Sequence, residues 1–408
     1  MVATSAFAAN IIWDGGAGSG AWGTRNNWNT NRVPAATDSV QFNAASAGGQ
    51  YNISLGGART TAGVTFSSAT GTNYFTIGSS TYTLSVNAGG ITNNDAQTQV
   101  FNSGIYVNSA QAWTAAAGGF TFNGNVGLQS NLTVAGTGTT TVAGVITDGA
   151  TAAGSLTKTG TGTLVLSGAN TYTGVTNISA GTLRLGANSV LSDSTAVTVA
   201  SGATLNLNNY SDTISSLAGA GVVTLGSGTL TVGANDASST FSGSFTSGDT
   251  GTFAKTGTGT LTFGAGMDLS GGTLVLNGGR LNLGGFNSTF GTLSVTADSI
   301  LDFGTGGGSV LNVLSSLTVN SGVTLTIQNW TDAVDYFYSL TNPGATNLGR
   351  IVFSGFTGSD TKWLPYDNQV TPVPEPSVYG ALLMGAMLGL VGYRRWHARR
   401  SPDLTRPA

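Results

Sequence analysis

The chain has 408 residues, of which 8% are charged, 63 are glycine and none is cysteine, with a formal net charge of −3. Five of its eleven arginines lie beyond residue 393, so the remainder is mildly acidic and offers little to neutralise a nucleic-acid backbone; no nucleic-acid partner is expected. Without cysteine there is no disulfide framework or thiolate site, and the single histidine, His397, lies close to the C-terminus, which removes Ser-His-Asp and His-metal chemistry from the rest of the chain.

In chain order, residues 1–8 end in Ala6-Phe7-Ala8, an A-x-A signal-peptidase pattern, and are read as the remnant of a signal peptide. Residues 9–150 are read as an N-terminal cap and the first coils of a stacked β structure. Here Trp13-Asp14-Gly15-Gly16, Trp22, Asn27-Trp28 and Val33-Pro34 precede Asp38-Ser-Val40-Gln-Phe42. Trp13, Trp22 and Trp28 are candidate glycan contacts, since aromatic faces suit pyranose rings. The competing reading, which is preferred, makes them a plug for the open end of a stacked core.

Residues 151–329 carry the repetition. Gly154-Ser-Leu-Thr-Lys158-Thr-Gly-Thr-Gly162-Thr-Leu164-Val-Leu166 returns as Gly251-Thr-Phe-Ala-Lys255-Thr-Gly-Thr-Gly259-Thr-Leu261-Thr-Phe263. Within the first copy, the Gly-Thr-Leu-x-Leu strand recurs 19 residues on, from Leu164 to Leu183, and a similar strand at Leu205 follows after 22 more. Spacings near twenty, with apolar residues alternating with Thr, Ser and Asn, fit one coil of a parallel β-helix whose equivalent strands stack and point Leu and Val inward. The first copy continues through Asn170-Thr-Tyr172-Thr-Gly174, whereas the second has Met267-Asp268-Leu269-Ser270-Gly271 there. These stretches resemble the autotransporter-associated beta strand repeat, and the Trp-rich residues 13–42 resemble the opening segment of such proteins. No run of amphipathic ten-residue strands follows the repeats, so export through a self-made barrel is not expected. Residues 330–366, with Trp330, Tyr336, Phe337, Tyr338, Phe353, Phe356 and Trp363, are read as a C-terminal aromatic cap, and 367–372 as a linker.

Residues 373–400 differ from everything before them. Val373-Pro374-Glu375-Pro376-Ser377 contains the one glutamate of the chain and precedes an unbroken apolar stretch, 378–393, and the basic cluster Arg394, Arg395, Arg399 and Arg400. As a helix this stretch would reach roughly 24 Å, short of a ~30 Å hydrocarbon core, so it can span only with help from Tyr379, Tyr393 and snorkelling arginines. The arginines place residues 401–408 in a cytoplasmic tail by the positive-inside rule. The segment resembles the PEP-CTERM sorting signal of Gram-negative bacteria. That resemblance implies an exported protein, anchored transiently in the inner membrane, recognised at Pro374, Glu375 and Pro376 by an exosortase-type protease or transpeptidase, and delivered to the cell surface or extracellular matrix.

The fold expected is therefore all-β, an elongated single-chain parallel β-helix with a short C-terminal transmembrane helix. The function expected is a non-enzymatic structural or adhesive surface protein without cofactor or metal, with extracellular polysaccharide as a candidate ligand. The alternative is a carbohydrate-binding or polysaccharide-degrading β-helix. Degradation would need Asp clustered with Arg or Lys, and the aspartates are scattered except for Asp298 with Asp302 and Asp332 with Asp335, spacings that suit solvated turns.

Overall fold

The computed structural model describes residues 9–43, 49–67, 74–116, 118–150, 153–305, 307–356 and 361–372. Across them the chain winds as an all-β parallel β-solenoid. Short strands lie on one another one coil apart: Thr163–Leu166 pairs with Thr182–Leu185, setting Leu164 beside Leu183, and the next coil sets Leu183 beside Leu205. This is the register implied by the 19- and 22-residue spacings. Period-two alternation decides which side chains enter the core; in Thr182–Leu185 the leucines are buried and Arg184 is exposed.

Among the described residues two sheets run along the solenoid, one of 26 strands and one of ten extending from Asn52–Ile53 to Ser244–Phe245. Between them the buried side chains form one continuous apolar column from Ile11 to Val370. Each fully buried Leu, Val, Ile or Phe contributes about 1.5–3 kcal/mol, and this repeated burial replaces the disulfides that the chain lacks. Tight corners make the rest possible. A Cβ on Gly138, Gly162 or Gly181 would run into the carbonyl oxygen of Gly118, Gly138 or Gly162 respectively, so these turns stack main chain on main chain and admit only glycine.

Beyond residue 267 the cross-section changes. Asp268–Asn282 and Ser288–Asp302 are strands of 15 residues in a single sheet, and register shifts at Leu269/Thr273 and Leu276/Asn277 absorb their unequal path lengths.

Both ends of the column are closed. At the first, Trp13, Trp22 and Trp28 are buried, with Trp28 meeting each of the other two edge-on at 5.0 Å between ring centroids. At the second, Thr361–Leu364 and Gln369–Pro372 form an antiparallel hairpin that also touches Tyr338, the point at which the parallel order stops. Residues 367–372 are thus not a free linker: Val370 is fully buried and gives the segment a reason to fold back. An antiparallel closing strand covers an edge that would otherwise template further pairing.

The membrane component of the expected fold requires correction. Among the described residues no helix is long and apolar enough to cross a membrane. The described fold is the β-solenoid, and the short transmembrane helix forms no part of it; the stretch 378–393 on which that helix was placed lies outside the described residues.

Candidate functional site

The most distinctive chemistry lies at two internal corners. Leu156–Lys158 alternates buried, half-buried, buried, so the period that turns Leu156 inward turns Lys158 inward as well. Its neighbours in the stack are Val134 and Ile178, and Lys255 likewise stands between Val232 and Leu276. An ammonium in an aliphatic column needs acceptors. Lys158 Nζ donates to the carbonyl oxygens of Thr159 at 2.7 Å, Gly160 at 2.8 Å and, across to the next coil, Ala180 at 3.4 Å. Lys255 Nζ donates to those of Thr256 at 2.5 Å and Gly257 at 3.1 Å. Burial lowers both lysine pKa values, with the charge of Asp236 opposing the effect at Lys255. Glycine completes each corner: a Cβ on Gly181 would stand 2.9 Å from Lys158 Nζ, and one on Gly279 2.9 Å from Lys255 Nζ.

A second buried polar group fills the loop of the first copy. Tyr172 is fully buried and its hydroxyl lies 2.6 Å from Thr176 Oγ1, which lies 3.2 Å from Thr195 Oγ1. Thr195 donates onward to the Gly174 carbonyl at 2.7 Å, which orients the whole relay, each hydroxyl passing its one proton forward from Tyr172. Burial raises the Tyr172 pKa. Nearby, Asp212 is 4% exposed and accepts the main-chain N–H groups of Val190, Leu191 and Thr213 at 2.8–2.9 Å. Burial outweighs these bonds and pushes its pKa up to about 6.

Four other carboxylates are similarly engaged. Asp38 takes both guanidinium nitrogens of Arg32 at 2.6 and 2.9 Å, which holds its pKa below the usual range. Asp302 pairs with Arg280 and accepts from Asn329, Asp335 accepts from Ser309 and Thr331, and Asp298 accepts from Thr324. In the two aspartate pairs considered from sequence, Asp298, Asp302 and Asp335 are thus each taken up by such bonds, and among the described residues no group of three His, Cys, Asp or Glu could hold a metal ion.

Of the residues singled out from sequence, Trp13, Trp22 and Trp28 are 0, 1 and 0% exposed. Their indole N–H groups are partly accounted for, Trp28 donating to the Trp22 carbonyl at 2.8 Å and Trp13 to that of Gln50 at 3.1 Å. A sugar stacks on an accessible ring face, and this placement provides none there. Val373, Pro374, Glu375, Pro376, Ser377 and Arg394, Arg395, Arg399 and Arg400 lie outside the described residues. The lysine corners were missed, although a lysine two residues after an inward apolar residue, Leu156 or Phe253, repeated in a chain with three lysines, was the available signal.

Outside, the solenoid presents polar rows. Thr133, Thr157, Asn177 and Thr198 stand side by side on successive coils. Farther towards the N-terminal end, a groove of about 410 Å³ runs beside Tyr106, lined by Asn102, Asn123, Asn125, Thr147 and neighbouring glycines.

Both lysine corners fall within matches to one family model, the Passenger-associated-transport-repeat, at residues 156–185 and 253–283. The chain is also similar to the adhesin BmaC autotransporter of Brucella suis biovar 1 (strain 1330), at 35% identity over 223 residues, which is 52% of this chain and 6% of that protein. The chain therefore spans only a small fraction of that relative's length. No solved structure matches. The described residues thus form a β-solenoid that carries two copies of this repeat and is similar over 223 residues to an autotransporter adhesin, with its buried carboxylates and ammonium groups held by main-chain or ion-pair partners. The expectations of an inner-membrane location and of an exosortase-type partner are corrected accordingly: both depended on a membrane-spanning helix, none is present among the described residues, and the matches found are to a transport repeat and an adhesin rather than to a sorting signal.

Proposed function

We propose that the chain is an adhesive rod, a stiff solenoid whose outer rows of Thr, Ser and Asn make contact with an external surface. The observation that carries this reading is the similarity to an adhesin over 223 residues, in a chain whose repeated features all serve to stack coils. Regular stacking supports it physically. A solenoid places equivalent side chains ~4.8 Å apart along a face, so weak polar contacts recur many times and add through multivalency. In the division that goes with this proposal, residues 9–150 hold the Trp plug and first coils, 151–329 the repeats, and 330–366 the aromatic closure.

The test is attachment under flow. Latex beads carrying the purified full chain should be retained on glass coated with at least one of fibronectin, mucin or cellulose, at shear that removes albumin-coated beads. Retention no better than that of albumin on all three would overturn the adhesive reading.

A further inference from the structure

Tyr106 belongs to Gly104–Val107, on the outward face, and is 40% exposed. Its lateral partner on the next coil is Gly127, and beyond that stands Thr147. A Cβ on Gly127 would lie 2.6 Å from two carbons of the Tyr106 ring. The ring therefore occupies the space of the missing side chain, leaning along the sheet over glycine rather than standing away from it. Such a ring has one side on the protein and turns the other to solvent, the arrangement that buried Trp13, Trp22 and Trp28 lack.

The groove beside it is polar and uncharged. Asn123 Nδ2 donates to Asn102 Oδ1 at 2.8 Å, and Asn125 Oδ1 accepts the Val145 N–H at 3.0 Å. These bonds fix the amides and leave the Asn102 and Asn125 amide nitrogens and the Asn123 amide oxygen to meet a ligand. Its volume, about 410 Å³, is in the range of small-molecule sites. A fixed aromatic face, flanked by amide donors and an acceptor with no charged side chain in the lining, suits an uncharged polyhydroxylated ring.

We propose that this groove is a binding subsite for a neutral saccharide, one pyranose face stacking on Tyr106 and its hydroxyls meeting Asn102, Asn123 and Asn125. The proposal rests on the adhesive reading and supplies it with a ligand class. The full chain is titrated by calorimetry with four neutral hexasaccharides, of β-1,4-glucose, α-1,4-glucose, β-1,4-galactose and β-1,4-mannose. At least one should bind, with affinity about tenfold weaker in Tyr106→Ala and retained in Tyr106→Phe. Tyr82→Ala, at an exposed tyrosine that does not line the groove, should bind as the unmodified chain does. If Tyr106→Ala lowers the melting temperature, Tyr106→Thr replaces it. Binding by none of the four, or binding unaffected by loss of the ring, overturns the subsite. Beads retained under flow despite that result would leave adhesion standing and remove only the saccharide; saccharide binding without retention would do the reverse.

Discussion

The two repeat copies share a corner and differ in what fills the loop behind it. In both, a lysine enters the core, donates to carbonyls of its own turn, and is fenced by a glycine of the next coil, Gly181 or Gly279. Behind Lys158 the chain supplies Tyr172 and a relay of hydroxyls; behind Lys255 it supplies Met267, 1% exposed, whose main-chain N–H meets Ser288. The corner is thus a specific electrostatic fitting, while the loop is a volume to be filled, by a ring with a satisfied hydroxyl or by a thioether.

The comparison can be broken most sharply at the lysines. Lys158→Ala should destabilise the solenoid by roughly 4 kcal/mol, through the cavity and the carbonyls left without a donor. Lys255→Ala should cost less in denaturant melts, because Lys255 has two carbonyl partners where Lys158 has three. Equal losses at the two sites would mean that the link to Ala180 carries nothing. Lys158→Met, which restores volume but not donors, should fall between Lys158→Ala and the unmodified chain.

Asp212 should make the surroundings of the first copy dependent on pH. Its folded pKa, about 6, lies above that of a free aspartate, so folding favours the protonated form. Stability from this group is complete below about pH 4 and is lost as pH rises to about 6, by up to roughly 3 kcal/mol. Asp38 acts oppositely, its lowered pKa giving stability that disappears as pH falls below the normal carboxylate range. Unfolding measured between pH 4 and 7 should become flatter in Asp212→Asn; an unchanged slope would show that Asp212 is not the source.

A smaller effect is expected from the fence. Gly181→Ala and Gly279→Ala, both at φ near 67° and both facing a lysine, should each cost about 2 kcal/mol, and a marked difference between them would show that the corners are less alike than their geometry. Smallest is Tyr172→Phe, at about 1 kcal/mol. Combining it with Thr176→Val should recover part of that loss, since both ends of one hydrogen bond are then removed; a strictly additive result in thermal melts would argue against the relay.

Much of the fold was legible because its signal is redundant. Leu164, Leu183 and Leu205 announce their own register, as each strand is nearly a copy of the one it pairs with. The corners were harder to read, because a lysine is taken for a surface residue unless its parity with Leu156 is followed. Residues 367–372 read as a linker for the opposite reason: Pro372 and the polar run conceal Val370, a fully buried side chain of the hairpin. The plug was the preferred reading of the three tryptophans, but composition alone does not distinguish a ring that plugs a core from one that leans over a glycine. Trp13, Trp22 and Trp28 attract attention by number, whereas Tyr106 matters through Gly127, 21 residues away and adjacent only after stacking. The spanning helix at 378–393 was read from its apolar run, the arginines after it and the resemblance to a sorting signal; the described fold contains no such element.

The bond from Lys158 to Ala180 has a mechanical meaning. Pulled along its axis, a stack of coils peels one layer at a time, each layer yielding when its own ladder gives way. A side chain rooted in one coil and fastened to the next is a rivet through two layers, so resistance along the rod is uneven. Rupture should run through the plainly stacked coils and pause wherever a side chain fastens two layers, at Lys158, at Asp212 and at the Arg280–Asp302 pair.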